Sequence, residues 1–374
     1  MYRTYIKKGG LNMNGQRKRI GLLTGGGDCP GLNSVIRAVV KTAINIYGYE
    51  IIGFTDGYMG LVNNRFKKLT LSDVSGLLDK GGTILGTTDS FDPFNMTIDI
   101  DGEKQERDMS GRIVDNIKMH DIEALIVIGG INTITTGYRL SLLGVNVIAI
   151  PKNIDNDIPG TDATIGFISA VNTATEALDK LHSTAESHHR VMVLEVMGRR
   201  AGWVALESGI AGGADIILIP EIPYEINLIA RRILERKKSG KNFSIVCVSE
   251  GCIPADKAKN ADSPDDNCPK SMHNISSDIA TELEKLTHLE TRVTVLGYLQ
   301  RGGEPSPSDR ILTTRLGVEA VNMAAQGIYN KMAGISNNAL CPIDLSEVAY
   351  KCKHVPVDGE LVRIARNMGV SFGD

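Results

Sequence analysis

A lysine and two aspartates in one short polar segment are the residues of this 374-residue sequence best suited to chemistry. The segment, PKNIDND at 151–157, follows an apolar run at 145–150. Such a run predicts a buried strand, and open α/β sheets bind ligands at the carboxyl ends of their strands. Asp155 and Asp157 could supply a general base and a metal ligand, and Lys152 could bind a phosphate. A polar turn with a helix cap is the alternative that the segment alone leaves open.

A glycine-rich segment, TGGGDCPG at 24–31, is the second candidate for ligand binding. It lies between an apolar run at 20–24 and residues with helical spacing from Leu32 onward. The backbone N–H groups of such a loop, together with the helix that follows, can hold an anion. The segment matches neither the GxGxxG pattern of dinucleotide sites nor the GKS/T ending of a P-loop. Phosphate binding and a tight turn therefore both remain open for it.

Two further loops place arginine between small residues directly after apolar runs. VMGRRAG at 196–202 contains Arg199 and Arg200, and LGYLQRGG at 296–303 contains Arg301. A solvated arginine pair is the alternative for the first of these loops. Taken together, four glycine-rich loops after predicted strands, three of them with Lys or Arg, indicate a cleft for a ligand with more than one phosphate.

Strand, glycine turn and helix alternate along the chain, and these elements would position the loops. Apolar runs predict strands at 20–24, 51–54, 124–128, 145–150, 191–196, 216–219, 243–249 and 292–296. Helical spacing predicts helices from Leu32 and over 170–181, 226–238, 277–286 and 312–325. This alternation indicates an α/β fold with mainly parallel sheets. The length predicts two domains, and the lack of a marked linker predicts lobes that exchange segments.

Composition and charge exclude several classes of function. The net charge of −3 argues against a nucleic-acid partner. Six cysteines without a CxxC pair are typical of reduced thiols in a cytoplasmic protein. Without an apolar run near the roughly 20 residues of a membrane span, we expect no membrane partner. Residues 1–18 are basic, precede no signal-peptide core and are predicted to form a flexible tail, and the polar stretch 260–274 is predicted to be a surface excursion.

The loops, taken in order, resemble the phosphofructokinase family. The matching segments are GGGDCPGLNSVIRAVV (25–40), DGYMGL (56–61), GGTILGTT (81–88), PKNIDNDIPGTDATIGF (151–167), EVMGRRAGWVAL (195–206), SEG (249–251) and LGYLQRGGEPSPSDR (296–310). The resemblance implies two Rossmann-like three-layer lobes with the active site in the cleft between them. It assigns 19–166 and roughly 300–350 to a larger lobe on the phosphoryl-donor side, and 167–299 and roughly 351–374 to a smaller lobe on the sugar-phosphate side.

The resemblance also implies an activity: phosphoryl transfer, with Mg²⁺, to the 1-hydroxyl of fructose 6-phosphate in glycolysis. The family's general base falls on Asp155, its metal-assisting aspartate falls on Asp157, and Lys152 and Arg199 complete the catalytic set. Further sugar-phosphate positions fall on Asn153, Arg190, Met197, Gly198, Glu250, Arg292, Tyr298 and Arg301, and donor positions fall on Gly26, Gly27 and Asn132. Arg190 and Arg292 match arginines that reach the 6-phosphate across a subunit interface, so a homodimer or homotetramer with shared sugar-phosphate sites is expected.

The donor half of the sequence departs from the family pattern at three places. The stretch GGIN at 129–132 has Ile131 where the family keeps a carboxylate for magnesium, and an isoleucine cannot bind a hard cation. Asp89 and Ser90 follow the GTT segment where the family offers an arginine, whose loss can cost on the order of a thousandfold in rate. Asn153 stands where threonine is usual.

These departures bear on the donor, the metal and the alternatives. With Ile131 in place of a carboxylate, Asp157 becomes the predicted metal ligand. In the family, Lys152 and a side chain at position 132 are associated with pyrophosphate, because they fill space that the α-phosphate of ATP needs, so pyrophosphate is slightly favoured over ATP. The alternatives are a catalytically weak sugar-phosphate-binding paralogue with a regulatory role, or a kinase for another sugar phosphate. Retention of Asp155 argues against a pure binding protein, which needs no base.

Overall fold

The structure is a computed structural model that describes residues 17–89, 91–100, 103–258 and 275–374. Its backbone contacts divide the chain into two compact units. Unit 1 comprises the described residues up to 153, residues 158–166 and residues 302–351. Unit 2 comprises residues 154–157, the described part of 167–301, and residues 352–374.

The described residues form thirteen strands. In chain order they are β1 (Arg19–Thr24), β2 (Glu50–Phe54), β3 (Phe66–Leu69), β4 (Met96–Ile100), β5 (Glu103–Arg107), β6 (Ile122–Gly129), β7 (Val147–Pro151), β8 (Val191–Val196), β9 (Ile216–Leu218), β10 (Ser244–Ser249), β11 (Thr291–Val295), β12 (Lys331–Ser336) and β13 (Ala339–Asp344). Each predicted strand is present, with bounds within two residues of those predicted.

The helices lie between these strands. In chain order they are α1 (Leu32–Thr42), α2 (Gly57–Val62), α3 (Ser110–Met119), α4 (Ile131–Leu142), α5 (Phe167–His188), α6 (Trp203–Ala211), α7 (Ile226–Lys238), α8 (Ala255–Ala258), α9 (Ile275–Thr287), α10 (Pro307–Gln326), α11 (Leu345–Val348) and α12 (Glu360–Asn367). A π-helical turn at Ala43–Tyr47 continues α1, and a 3₁₀ turn at Gly297–Gln300 follows β11. No helix in the described part of the chain is long and apolar enough to cross a membrane.

Unit 1 is built on a seven-stranded sheet with the order β13-β12-β7-β6-β1-β2-β3. Its five central strands are parallel, and β13 and β3 pair antiparallel at the two edges. All five residues of β7 are buried, as expected for a central strand that is covered on both faces. The glycine-rich loop leads into α1, which packs along α10.

Unit 2 is built on a four-stranded parallel sheet with the order β11-β8-β10-β9. Two buried apolar clusters cover its faces. One contains Leu178 of α5, Leu206 of α6 and Val362 of α12, and the other contains Ile233 of α7 and Leu283 of α9. The prediction of an α/β fold with mainly parallel sheets is therefore confirmed.

Two sequence-based boundaries need correction. Lys18, predicted to belong to a flexible tail, has a defined place: its Nζ pairs with Glu123 at 2.5 Å, and its carbonyl accepts a hydrogen bond from the N–H of Glu50 at 2.9 Å. Residues 154–157, expected in the larger lobe, group with unit 2, where the carbonyl of Asp157 and the side chain of Asn156 accept hydrogen bonds from Lys353. Residues 1–16 and 260–274 lie outside the described residues.

The close approach of α10 to α1 makes a testable prediction about packing. A methyl group added at Gly317 of α10 would lie 2.7 Å from the Cβ of Ala38 and 3.1 Å from the carbonyl oxygen of Val35. Because backbone cannot move aside cheaply, we expect Gly317→Ala to lower the free energy of unfolding by about 1–3 kcal/mol. The matched control is Gly111→Ala in α3, where nothing lies within 4 Å of the added methyl.

Alanine has the higher helix propensity, so the control should be neutral or more stable by up to about 1 kcal/mol. Thermal and urea unfolding of both variants measure the difference. Equal stability of the two variants would show that α1 and α10 are not packed this closely.

Candidate active site

The glycine-rich loop after β1 presents backbone on its surface. The N–H of Gly25 donates to the carbonyl of Ile128 at 2.9 Å, and the N–H of Gly26 donates to Thr88 at 3.0 Å. A Cβ at Gly25 would lie 2.7 Å from the Oγ1 of Thr133, so no side chain fits there. Gly26 and Gly27 are half-buried. The loop is thereby fixed between the end of β6 and the GTT segment, with no side chain on its glycines to keep a ligand away.

Lys152 places a positive charge on this loop. Its side chain is only 4% exposed, and its Nζ donates a hydrogen bond to the carbonyl of Gly27. Its backbone N–H donates to Gly129 at the end of β6, at 3.0 Å. A buried ammonium requires such polar partners. The structure thus brings together two separately predicted candidates for phosphate binding, Lys152 and the glycine-rich loop.

Two threonines that the sequence analysis did not single out hold the GTT segment against the loop. Thr87 donates from its Oγ1 to the carbonyl of Gly26 at 2.5 Å, and Thr24 donates to Gly86 at 2.7 Å. These threonines could have been predicted to bond to neighbouring backbone, because they lie beside glycine-rich turns and threonine hydroxyls often bond to nearby carbonyls. Asp89 is exposed at the end of this segment, and Ser90 lies outside the described residues.

The first turn of α4 has no carboxylate for a metal. Ile131 is 7% exposed and packs into unit 1, whereas Asn132 is exposed. Among the residues that the structure describes, no group of three or more His, Cys, Asp or Glu side chains could hold a metal ion. Magnesium is commonly held by one or two carboxylates together with substrate phosphates and water. The residues present therefore fit a metal carried mainly by a phosphate ligand, and not an all-protein metal site.

The segment with the two aspartates passes from unit 1 to unit 2 after Asn153. Asn153 is half-buried, and its carbonyl accepts a hydrogen bond from the Oγ1 of Thr164. Asp155 is half-buried, whereas Asp157 is only 5% exposed. Asn156 between them is buried and has a left-handed backbone with φ of 51°. The two carboxylates thus occupy different environments, and Asp155 is the more accessible.

In unit 2, the loops after β8 and β10 interlock around Gly198. This residue has φ of 135°, and a Cβ there would lie 2.6 Å from the Oγ of Ser249. Ser249 donates to the Gly198 carbonyl at 2.5 Å, as does the N–H of Gly251 at 3.1 Å. Arg199 and Arg200 follow directly and are exposed. The glycine therefore lets the arginine loop lie against the loop that carries Glu250.

Glu250 lies in the field of two arginines. Burial raises the pKa of the Glu250 carboxyl, and the charges of Arg199 and Arg301 act in the opposite direction. The Arg301 guanidinium lies 5.3 Å from the ring centre of Tyr298, which is 77% exposed. The N–H of Met197 donates to Gln300 at 3.3 Å. Six predicted sugar-phosphate residues are thus brought together in unit 2: Met197, Gly198, Arg199, Glu250, Tyr298 and Arg301.

Arg190 and Arg292 do not join this cluster. Both lie at the start of their strands, β8 and β11, whereas Met197 and Tyr298 follow the ends of the same strands. A strand of this length separates its ends by about 17 Å. Both arginines pair with Glu290, which accepts from the Nε of Arg190 at 2.7 Å and from the Nη2 of Arg292. The Arg190 guanidinium, with Arg292 beside it, holds the pKa of the Glu290 carboxyl below its usual range.

Comparison with known proteins extends these observations to the whole chain. A family model described as phosphofructokinase matches residues 19–324. An ATP-dependent 6-phosphofructokinase 2 from Clostridium perfringens is 50% identical over 364 residues, which cover 96% of this chain and 99% of that protein. An ATP-dependent 6-phosphofructokinase from Propionibacterium freudenreichii is 46% identical over 375 residues, with 95% and 99% covered.

Solved structures show the same likeness. Pichia pastoris phosphofructokinase in the T-state superposes with a TM-score of 0.76 at 33% identity, covering 88% of this chain and 35% of that one. A pyrophosphate-dependent phosphofructokinase from Marinobacter aquaeolei has a TM-score of 0.78 at 22% identity, covering 95% and 92%, and shows the likeness of fold alone. With its motifs, its fold and relatives of this identity over nearly their whole length, the chain belongs to the phosphofructokinase family.

Proposed function

We propose that this protein is a 6-phosphofructokinase that transfers the γ-phosphoryl group of ATP to the 1-hydroxyl of fructose 6-phosphate. The observation that carries the proposal is the presence of two groups of glycine-rich loops, each of which has a cationic side chain. One is the glycine-rich loop with Lys152 in unit 1, and the other is the cluster of Arg199, Glu250 and Arg301 in unit 2. Two such sets suit a reaction in which both substrates carry phosphate. A glycolytic role of this kind belongs in the cytoplasm.

Asp155 is the proposed general base, and its partial exposure supports this role. The sugar's 1-hydroxyl oxygen forms a bond to the γ-phosphorus as Asp155 takes the hydroxyl proton. The bond from that phosphorus to the β-phosphate oxygen breaks, and ADP leaves with the electron pair. Lys152 stabilises the charge that develops on the donor, and the glycines of the loop let the donor phosphates approach it.

Mg²⁺ is the proposed metal, with Asp157 as its protein ligand beside the donor phosphates. When bound, it would neutralise charge on the phosphate oxygens. The buried position of Asp157 and the apolar packing of Ile131 support a metal that depends more on the donor than on the protein. Because position 131 provides no carboxylate for the metal, Lys152 is proposed to neutralise a larger share of the charge on the donor phosphates.

ATP is the proposed donor, although the residue types at positions 152 and 132 slightly favour pyrophosphate. The Nζ of Lys152 donates a hydrogen bond to the Gly27 carbonyl, so the lysine side chain lies against the loop and does not extend into the space that the α-phosphate of ATP needs. Asn132 is exposed at the start of α4. The relatives at 46–50% identity are named as ATP-dependent, whereas the neighbours named as pyrophosphate-dependent are 22–23% identical. The position of Lys152 and the names of the more similar relatives both support ATP as the donor.

Arg190 and Arg292 are proposed to serve the sugar 6-phosphate of a partner subunit in a homodimer or homotetramer. Their separation from Arg199 along β8 and β11 leaves them without a role in the cluster of their own unit. Arg292 is exposed, and Glu290 holds the pair together at the surface. A pair of guanidinium groups in this arrangement can receive a phosphate once Glu290 is displaced or shared.

The base assignment predicts the effect of removing one carboxylate. We expect Asp155→Asn to lower kcat by at least about a thousandfold, while the affinity for fructose 6-phosphate stays within threefold, because the amide keeps the shape and loses the base. Steady-state kinetics and calorimetric binding of the sugar phosphate measure the two effects. The control is Asp179→Asn, at an exposed position of α5, which should match the wild type. Normal turnover of the Asp155 variant would show that the base is another residue.

The donor assignment predicts a preference that can be measured directly. With fructose 6-phosphate and Mg²⁺ held constant, we expect kcat/KM for ATP to exceed that for pyrophosphate by more than tenfold. A larger value for pyrophosphate would reverse the assignment. Binding of fructose 6-phosphate without turnover from either donor would instead support the catalytically weak, regulatory paralogue, which the loss of the carboxylate at Ile131 favours.

The shared-site proposal predicts a substrate effect far from the cluster around Glu250. We expect Arg292→Ala to raise the KM for fructose 6-phosphate by about 10- to 100-fold, since a charge-assisted hydrogen bond to phosphate is worth about 1.5–3 kcal/mol. Arg315→Ala, which removes a half-buried arginine of α10 that bonds to Asn338, is the control. Mass photometry should show a dimer or tetramer. A monomeric protein with an unchanged KM in the Arg292 variant would contradict the proposal.

A further inference from the structure

Lys353, which lies between α11 and α12, bonds to the aspartate segment through both its backbone and its side chain. Its N–H donates to the carbonyl of Asp157 at 2.7 Å, and its Nζ donates to the Oδ1 of Asn156 at 3.1 Å. Both partners belong to unit 2, as Lys353 does. One lysine therefore fixes two consecutive residues of the segment 154–157.

The same lysine also bonds to the start of α6. Its carbonyl accepts a hydrogen bond from the Nε1 of Trp203 at 2.9 Å, and its Nζ lies 5.5 Å from the centre of the indole. Its charge lowers the pKa of Glu207, one turn further along α6, against the larger effect of burial, which raises it. The ammonium is thus held between Asn156 and α6, a position that a flexible surface lysine would not keep.

Asn156 is the residue of the segment that Lys353 holds by its side chain. It is 3% exposed and has a left-handed backbone, which asparagine adopts more readily than most non-glycine residues. A hydrogen bond from a charged donor to its side chain stabilises this conformation. Because Asn156 lies between Asp155 and Asp157, its backbone conformation sets the direction of both carboxylates.

The two residues after Lys353 hold the arginine loop. The Nδ1 of His354 lies 3.0 Å from the carbonyl of Arg200, and the N–H of Val355 donates to the Oε1 of Glu221 at 2.8 Å. Glu221, whose side chain is 5% exposed, also accepts from the N–H of Gly202 at 3.1 Å. Residues 353–355 therefore contact the aspartate segment on one side and the loop of Arg199 on the other.

We propose that Lys353 is a positioning residue for phosphoryl transfer, which orients the Asp155–Asp157 segment relative to the loop of Arg199. The proposal rests on the function proposed above for these two segments. Lys353 needs no contact with substrate to act in this way. Its effect should fall on turnover more than on sugar binding, because the orientation of a base matters to the reacting geometry and less to affinity.

The test compares Lys353→Met with Lys351→Met, a control at an exposed position two residues earlier. We expect the Lys353 variant to lose about 10- to 100-fold in kcat, with the KM for fructose 6-phosphate within threefold of wild type. Amide hydrogen exchange of a peptide that spans 154–160 should become faster in this variant and unchanged in the control. Lys353→Arg should recover part of the lost kcat, because a guanidinium can also bond to Asn156 and stack on Trp203.

A double-mutant cycle separates positioning from general destabilisation. If Lys353 acts through Asn156, the double variant Lys353→Met, Asn156→Ala should lose little more kcat than the worse single variant. Additive losses, or wild-type turnover and exchange in Lys353→Met, would overturn the proposal. If the wild-type protein has no turnover with fructose 6-phosphate, the proposed function fails, and the hydrogen-exchange comparison alone decides whether Lys353 holds the segment.

Discussion

The anchoring of residues 151–157 at both ends is the constraint on which the account of the site depends. At one end, Lys152 is buried in unit 1 and bonds to the glycine-rich loop through Gly27. At the other end, Asn156 and Asp157 are bonded to Lys353 in unit 2. The chain changes units between these anchors, so a stretch of a few residues carries both a buried cation and the proposed base. Positions of this kind must be accurate to well under an ångström for catalysis.

Close backbone packing shapes the glycine-rich loops that contain other candidate residues. Gly25 leaves room for Thr133, and Gly198 leaves room for Ser249, at distances where any side chain would collide. Hydrogen bonds from threonine and serine hydroxyls to backbone carbonyls stabilise these closely packed loops. In each unit the result is a tightly bonded glycine-rich loop beside a cation, Lys152 in unit 1 and Arg199 in unit 2, which suits a phosphate.

Much of the fold could be predicted because buried parallel strands are continuous apolar runs. Seven of the eight predicted strands follow this rule, whereas β11, at the edge of its sheet, is only partly buried. Helix α4 was harder to predict, because its threonines and the apolar Ile131 at its start do not give a clear helical face. The hairpin of β12 and β13 had a signal that went unused: Asn337 and Asn338 both have positive φ, as the tightest hairpin turns require.

The candidate site could be predicted where its residues directly follow strands. It could not be predicted where a contact joins residues that are far apart in the sequence. Lys152, Arg199 and Arg301 lie directly after apolar runs, so their neighbourhood in each unit could be inferred. Lys353 lies almost 200 residues from Asp157, and no local pattern marks the contact between them. Nor could the sequence show that Glu290 joins Arg190 to Arg292, because the ion pair depends on the alignment of β8 with β11.

We expect this chain to perform phosphoryl transfer to fructose 6-phosphate despite Ile131. Phosphorus NMR of the purified protein with ATP, Mg²⁺ and fructose 6-phosphate tests it most directly. The expected result is loss of the γ-phosphate signal of ATP and the appearance of the two sugar phosphate signals of fructose 1,6-bisphosphate in equal amounts. Unchanged ATP in the presence of bound fructose 6-phosphate would contradict the account and leave a protein that binds the sugar phosphate without reaction.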